Sequence, residues 1–502
     1  MIKKTIVNQQ VLFANPFDVH LDANNRWIKY AKLIPWEKLE QYYHQHMTKT
    51  MGAPSLDARI VLGALIIKHH ENLSDEGCIE AIQENMYMQY LLGFPSFKTD
   101  KIFAPSLFVE IRKRLGLDYW QQINDLIIAA NNKQDNTTSN KDNSIDDDTT
   151  NNDTICNNTN VTNVETPTNK GTLNIDATVI EQDITYPTDL KILNACREKL
   201  EQIITTICNN TNQPKPRTYK KVARRDFLNI NKKKNCSAKQ IRKGNGKQLS
   251  YVKRDLMYIA KLLEKYTSLS DILTPHQLRY LQIIHTVYEQ QHHMYKNKTH
   301  QIADRIVSIH QPHVRPMVRG KAGKNVEFGS KIGISMQQGL TYLDRLNWNN
   351  YNEAEDLITS AENYKKRNGY YPAKINADQK YITKANRTWC KAQAIWLSGK
   401  PLGRPTTQSK LQQQALKQSA AERNQVEGKF GQAKRWYING TIKARLSRTS
   451  ESMIGAVIVV LNLIRLVEQH VHTLLKYYYY LLIQILINKY SKNYTFSIVQ
   501  TF

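Results

Sequence analysis

Acidic residues are in short supply: 44 Asp and Glu stand against 70 Lys and Arg, a formal net charge of +26 over 502 residues. Such a surplus exceeds what solubility needs and implies a polyanionic partner, with nucleic acid ahead of an anionic membrane surface. Cysteine is scarce as well. Cys78, Cys156, Cys196, Cys208, Cys236 and Cys390 form no CxxC pair and no compact spacing, which excludes a disulfide scaffold and fits a reducing cytoplasm. His300, His310 and His313 have neither cysteine partners nor HxxxH spacing, so they read as structural or DNA-contacting rather than as zinc ligands. The N-terminus, MIKKTIVNQQVLFANPFDVHLD, lacks the sustained apolar core and small-residue cleavage site of a signal peptide. The apolar stretch LLKYYYYLLIQILI, residues 474 to 487, is broken by Lys476 and Gln484 and falls short of the roughly 20 residues of a membrane span. The expectation is a cytoplasmic chain with no membrane partner.

What is present divides the chain into parts. Residues 20 to 120 carry the three-four spacing of amphipathic helices, with Val61, Leu62, Leu65 and Ile66 followed by Ile79 and Ile82. Between those two sets, Ser74 is placed to cap a helix whose first turn holds Asp75 and Glu76. Helix, short turn, helix suits a DNA reader and equally any small helical bundle. The expected layout is an all-α N-terminal domain over 1–130, then a disordered polar linker over 131–170 rich in Asn, Thr, Asp and Ser. A catalytic domain over 171–470 and a tail over 471–502 complete it.

Order resumes at GTLNIDATVIEQDI, where Leu173, Ile175, Ala177 and Val179 alternate with Asn174, Asp176 and Thr178, the period of a half-buried strand. Asp176 therefore faces away from that apolar set. From Thr188, a plausible helix cap, to about residue 300 the chain reads as a basic helical insertion. Between Lys215 and Arg254 it holds fifteen Lys or Arg against the single acid Asp226. Arg224, Arg225, Lys232, Lys233 and Lys234 are the candidate phosphate contacts in this block, a solvated helical face being the alternative. A β-rich stretch follows from Arg305 to about Trp348, taking in RIVSIH and VEFGSKIGISM. Its RGKAGK segment, with Arg319, Lys321 and Lys324, suits either a grip on DNA backbone or a solvated loop. The next helix ends at Gly369, and a short strand then delivers Asp378 at its C-terminal end, where open α/β sheets place their sites.

The last long helix is expected over residues 411 to 436. Its segment RNQVEGKFGQAK sets Arg423, Glu427 and Lys434 within about 40° of one another at 100° per residue, while Val426, Phe430, Ala433 and Tyr437 form an apolar stripe able to dock on a sheet. A surface salt-bridge ladder would show the same spacing. Strand with acid, helical insertion, strands, helix, strand ending in acid and long helix make an α/β order compatible with a ribonuclease-H-like domain.

The segments NIDATVIEQDITYPTDLKILNACREKL, RPMVRGKAGKNVEFGSKIGIS, INADQKYITKANR and ERNQVEGKFGQAKRWYINGTIKARL resemble the catalytic core of prokaryotic insertion-sequence transposases of the DDE type, in the insertion-sequence-four and -five superfamily. LIPWEKLEQYY, APSLDARIVLGALIIKHHENLSDEGCIEAIQENMYMQYLLGF and FAPSLFVEIRKRL resemble the helical domain that precedes that core. The resemblance implies that Asp176, Asp378 and Glu427 are the catalytic, metal-holding carboxylates, with two Mg²⁺ ions or Mn²⁺ in their place. It implies DNA contacts from Arg423 and Lys434, in register with the family's Tyr, Arg, Glu, Lys signature, whose Tyr position is Ala420 here. Terminal inverted repeats and target DNA are the implied partners, with a homodimer joining two ends, in a prokaryotic cytoplasm in association with the nucleoid. A catalytically inactive DNA-binding relative is the alternative.

Overall fold

The computed structural model describes residues 21–45, 56–138, 169–264, 266, 268–321, 324–400 and 410–498, with some side chains inside these spans outside the description. Among the described residues seven helices come first: α1 Arg26–Leu33, α2 Trp36–Gln45, α3 Ala58–His70, α4 Asp75–Glu84, α5 Met86–Leu91, α6 Ser106–Arg114 and α7 Leu117–Thr138. Asn25, Asp57, Ser74 and Asn85 each accept a backbone N–H in the first turn of the helix they precede, the capping that their side chains favour. α3 is buried on nearly every side, so its sequence is apolar around the whole cylinder rather than along one stripe.

The expected linker begins later than its composition suggests. α7 runs on to Thr138 because Asn131 belongs to the packing: it is 4% exposed and donates to Ile127 O at 2.7 Å and to Leu33 O at 3.0 Å. Residues 139–168 of that linker lie outside the described residues.

The sheet is assembled from β1 Thr172–Glu181, β2 Arg315–Lys321, β3 Lys324–Gln337, β4 Leu340–Asn347, β5 Lys374–Asn376 and β6 Trp396–Ser398. The order is β2–β3–β1–β5–β6, with β4 also on β3. β1 runs antiparallel to β3 and parallel to β5, and β5 parallel to β6. An antiparallel half joined to a parallel half through a central first strand is compatible with a ribonuclease-H-like core. At Gly329, opposite Glu181, a Cβ would meet Ile180 O at 1.9 Å, so only glycine lets β3 approach the end of β1 this closely.

Each face of the sheet is covered. Leu173 and Ile175 of β1 pack with Ile375 and Ala377 and with Leu357, Ala361 and Tyr364 of α12 Asp356–Asn368, which Gly369 ends at φ 81°. α13 Lys384–Ala392 lies beside it. On the opposite face, Ile180, Ile332, Ile334 and Met336 meet Val426, Phe430 and Ala433 of α14 Lys410–Gln432 and the turn after it. The alternation along β1 thus decides which side chains see which helices.

α15, Ser447–Ile498, has two apolar faces. Ile454, Val457, Ile458 and Leu461 close the sheet's core, while Ala456, Val459, Val460, Leu463 and Leu466 belong to the core of the N-terminal helices. Trp120 Nε1 donates to Ser452 Oγ at 2.9 Å, and Asn462 joins Asn124 to the backbone of Thr341 with three bonds of 2.7 Å. At Gly455 a Cβ would meet Trp120 Cβ at 2.6 Å. The helix continues to Ile498 with no glycine or proline after Gly455, so the stretch read as a separate tail is helical up to that residue; 499–502 lie outside the described residues. Its segment Ser447–Gln484 is long and apolar enough to cross a membrane, but 72% of its most apolar window is buried inside the molecule. Beyond Val471 the exposed residues include Leu475, Tyr478, Tyr479 and Tyr480.

The stretch between β1 and β2 is helical: α8 Asp189–Thr211, α9 Lys220–Asn231, α10 Ala238–Leu263 and α11 Pro275–Asn297. Thr188 caps α8 through Lys191 N. These helices bury a core of their own, from Ile192, Leu193, Leu200, Ile203 and Ile204 to Val252, Ile284 and Val287. RIVSIH is not a strand. Its Ile306 and Ile309 are apolar because they pack into this helical core, a demand that imitates strand alternation over so short a run.

Candidate active site

β1 sets the first acid. With Leu173 opposite Ile375 and Asn174 opposite Asn376, extending the parallel register by two residues brings Asp176 level with Asp378, just past the end of β5, on strands about 4.8 Å apart. Asp378 follows Asn376 and the buried Ala377 and opens a short turn, Gln379–Tyr381. α14 crosses above. Glu422 Oε2 accepts from Lys374 Nζ and Asn376 Nδ2, each at 2.8 Å. Further along the helix, Lys434 Nζ donates to Thr178 Oγ1 at 2.9 Å. The helix therefore passes from β5 to β1, and its Arg423 and Glu427 lie between these two anchors.

Arg423 organises the acids. One of its terminal nitrogens lies 3.3 Å from Glu427 Oε1 and 3.7 Å from Asp378 Oδ1. Burial pushes Asp176 up to about 6, against the opposing pull of the Ala177 N–H, which donates to Asp176 Oδ1 at 2.8 Å, and of the Arg423 charge; Asp378 and Glu353 add to the rise. Three carboxylates and one guanidinium thus share one electrostatic neighbourhood. Among the described residues no group of three or more His, Cys, Asp or Glu stands close enough to hold a metal ion. The donors are the hard oxygens a divalent cation of the Mg²⁺ type takes, but they are arranged around Arg423 rather than around each other.

Glu353 was not singled out by its sequence. It lies 8% exposed in the turn before α12, 2.9 Å from the buried Lys331 Nζ and 3.8 Å from Lys380 Nζ. Its charge reaches Asp176, and with Asp176 it adds to the burial that holds the Tyr381 phenol protonated far beyond the ordinary range. A 3-10 turn, Glu353–Glu355, brings it there, and no spacing in the sequence announces such a turn.

The other candidates separate. Arg224, Arg225, Lys232, Lys233 and Lys234 are exposed on α9 and the loop after it. Lys233 and Lys234 line a cavity of about 810 Å³ between the insertion and the β2–β3 hairpin. Arg319 and Lys321 lie on β2 and Lys324 on β3; their side chains are outside the described residues. His310 Nδ1 pairs with Tyr280 Oη at 2.7 Å and His313 packs edge-on against Trp348, where burial pushes it down to about 4. Asp189 begins α8 and pairs with Arg305.

Residues 375–464, from β5 into α15 and including Asp378 and Glu427, match the family described as Transposase DDE domain. Residues 15–114 match the family described as Transposase domain (DUF772). The uncharacterized protein ORF8 in the nfe locus of Rhizobium meliloti is 29% identical over 105 residues, which cover 21% of this chain and 50% of that protein. The chain thus spans about half the length of this relative. No solved structure matches it. Two separate stretches of the chain are thus similar to transposase domains, and the one that holds Asp378 and Glu427 is similar to the DDE domain.

Proposed function

We propose that the chain is a transposase that binds the terminal inverted repeats of its insertion sequence and catalyses metal-dependent strand cleavage and strand transfer. In this reading Asp176, Asp378 and Glu427 hold two divalent ions, Mg²⁺ or Mn²⁺. The observation that carries it is the convergence of a strand acid, a strand-end acid and a helix acid, far apart in sequence, on the guanidinium of Arg423. When bound, the ions activate a water or a 3′-hydroxyl and stabilise the leaving oxygen.

The chain's own residues prepare that chemistry. Asp176 is half-buried and under-compensated, so its carboxylate gains by meeting a cation. Lys434, held on Thr178, and Arg423 bring positive charge to the phosphate that is cut. Arg224, Arg225, Lys232, Lys233 and Lys234 on the insertion, with Arg319, Lys321 and Lys324 on the hairpin, track the DNA backbone. Joining two ends calls for two copies of the chain.

The test is cleavage and joining of a supercoiled plasmid carrying the element's own ends in Mg²⁺. Asp176→Ala, Asp378→Ala and Glu427→Ala should each lower cutting by at least about a thousandfold, on the scale of removing a metal-holding group, while gel-shift binding of the ends persists. Full cutting by any one variant removes that acid from the site. Binding without cutting by the wild type makes the chain an inactive DNA-binding relative.

A further inference from the structure

The same nitrogen of Arg423 approaches carboxylates on two different elements, Glu427 one turn along its own helix at 3.3 Å and Asp378 after β5 at 3.7 Å. Its charge also reaches Asp176. The backbone that carries Arg423 is held in place, because Val426 and Phe430 on the same helix are buried in the sheet's core and Glu422 is tied to Lys374 and Asn376. Nor are the acids free of it: Asp378 and Glu427 are both partly open to solvent, at 41% and 56% of their side chains, while the Arg423 side chain is 24% exposed and sits inward of them.

We infer that Arg423 is the resident cation of the ion-free site, and that a divalent ion and its guanidinium compete for the same carboxylates. This rests on the three-carboxylate reading above. The planar guanidinium takes one oxygen from each of two acids, here at 3.3 and 3.7 Å, whereas a metal ion needs oxygens about 2.1 Å from one centre. Both cannot occupy the gap. Seating an ion therefore requires the Arg423 side chain to leave, and its long stem then carries the guanidinium outward to the exposed rim, where the DNA phosphate arrives. Arg423 acts as a positioning residue toward the ion: it keeps three like charges together while the site waits.

The test titrates Mn²⁺ alone into the full-length protein without DNA, by calorimetry and by the paramagnetic resonance of the free ion. It compares wild type, Arg423→Gln, Arg423→Lys, Asp378→Asn and Glu427→Gln. Arg423→Gln keeps a polar stem without charge; it should bind Mn²⁺ about tenfold more tightly, on the scale of one lost charge-assisted contact. Its ion-free thermal midpoint should fall, and added Mn²⁺ should raise that midpoint by more than in the wild type. Arg423→Lys keeps the competing charge and should stay near wild-type affinity, which controls for folding. Unchanged or weaker Mn²⁺ binding by a folded Arg423→Gln protein, with binding still lost in Asp378→Asn and Glu427→Gln, overturns the competition while sparing the three acids. Binding indifferent to Asp378→Asn and Glu427→Gln overturns the three-carboxylate reading and the competition together.

Discussion

The helices before the sheet and the helices inserted into it are built from similar amphipathic segments, yet they close in opposite ways. The insertion buries Leu193, Leu200, Ile204, Val252 and Ile284 against one another, all within residues 192 to 309, and holds a buried ion pair, Arg197 with Glu201, at 1% and 5% exposure. The N-terminal helices borrow Ala456, Val459, Val460 and Leu463 from α15 and Leu340 and Tyr342 from β4. One group is a module set into the sheet; the other is half of a shared core. Sequence similarity to a helical domain does not by itself establish that the domain stands alone.

That contrast breaks most sharply by dissection. A fragment of residues 186–311 should fold by itself and melt cooperatively, whereas in the chain lacking residues 21–130 the sheet and α15 should lose their fold while the insertion keeps its own, since buried faces of α15 and β4 would be opened to water. Circular dichroism and chemical-shift dispersion of the two fragments decide this. A well-folded truncation would show that the borrowed residues are ornament to the sheet.

Point substitutions sharpen the same contrast. Arg197→Met leaves Glu201 buried without its partner and should cost about 3–5 kcal/mol, confined to the insertion. Gly455→Ala sets a methyl against Trp120 and should cost roughly 1–3 kcal/mol, felt by the N-terminal helices and the sheet as one unit. Urea unfolding followed by hydrogen exchange in each region separates the two; a Gly455→Ala effect that spares the sheet contradicts a shared core.

The smallest expected effect is a pH dependence. Burial holds Asp255 in the insertion at about 6, against the pull of Arg254, so the folded state keeps its proton where the unfolded chain has lost it. Insertion stability should fall as pH rises from about 4 to about 6 and level off above, by at most about 3 kcal/mol. Asp255→Asn should flatten that slope in the 186–311 fragment; an unchanged slope assigns it to another group.

Much of this arrangement was legible in the sequence, and the part that was not has physical causes. The alternation of Leu173, Ile175 and Ala177 around Asp176 fixes which face the acid takes, because a strand's period admits one answer. Ser74, Thr188 and Gly369 end or begin helices where their side chains or backbone freedom favour it. The stripe of Val426, Phe430 and Ala433 docks on the sheet as its spacing required. Glu353 escaped notice because a tertiary fold, not a spacing, carries it to Asp176. The role of α15 escaped because a helix apolar on all sides reads alike whether its second face meets lipid or another domain. RIVSIH misled because a loop packed on helices needs the same apolar residues as a strand.

α15 is also the last of these elements to be synthesised. At roughly 5–20 residues per second, the N-terminal helices wait on the order of tens of seconds after emerging before Ile454 to Leu466 are made, while the insertion has all its core partners once Ile309 is out. Folding during translation therefore runs middle first and flanks last and together. The nascent chain exposes a finished basic module long before its acids are assembled, and a message broken upstream of α15 yields that module without an assembled carboxylate site.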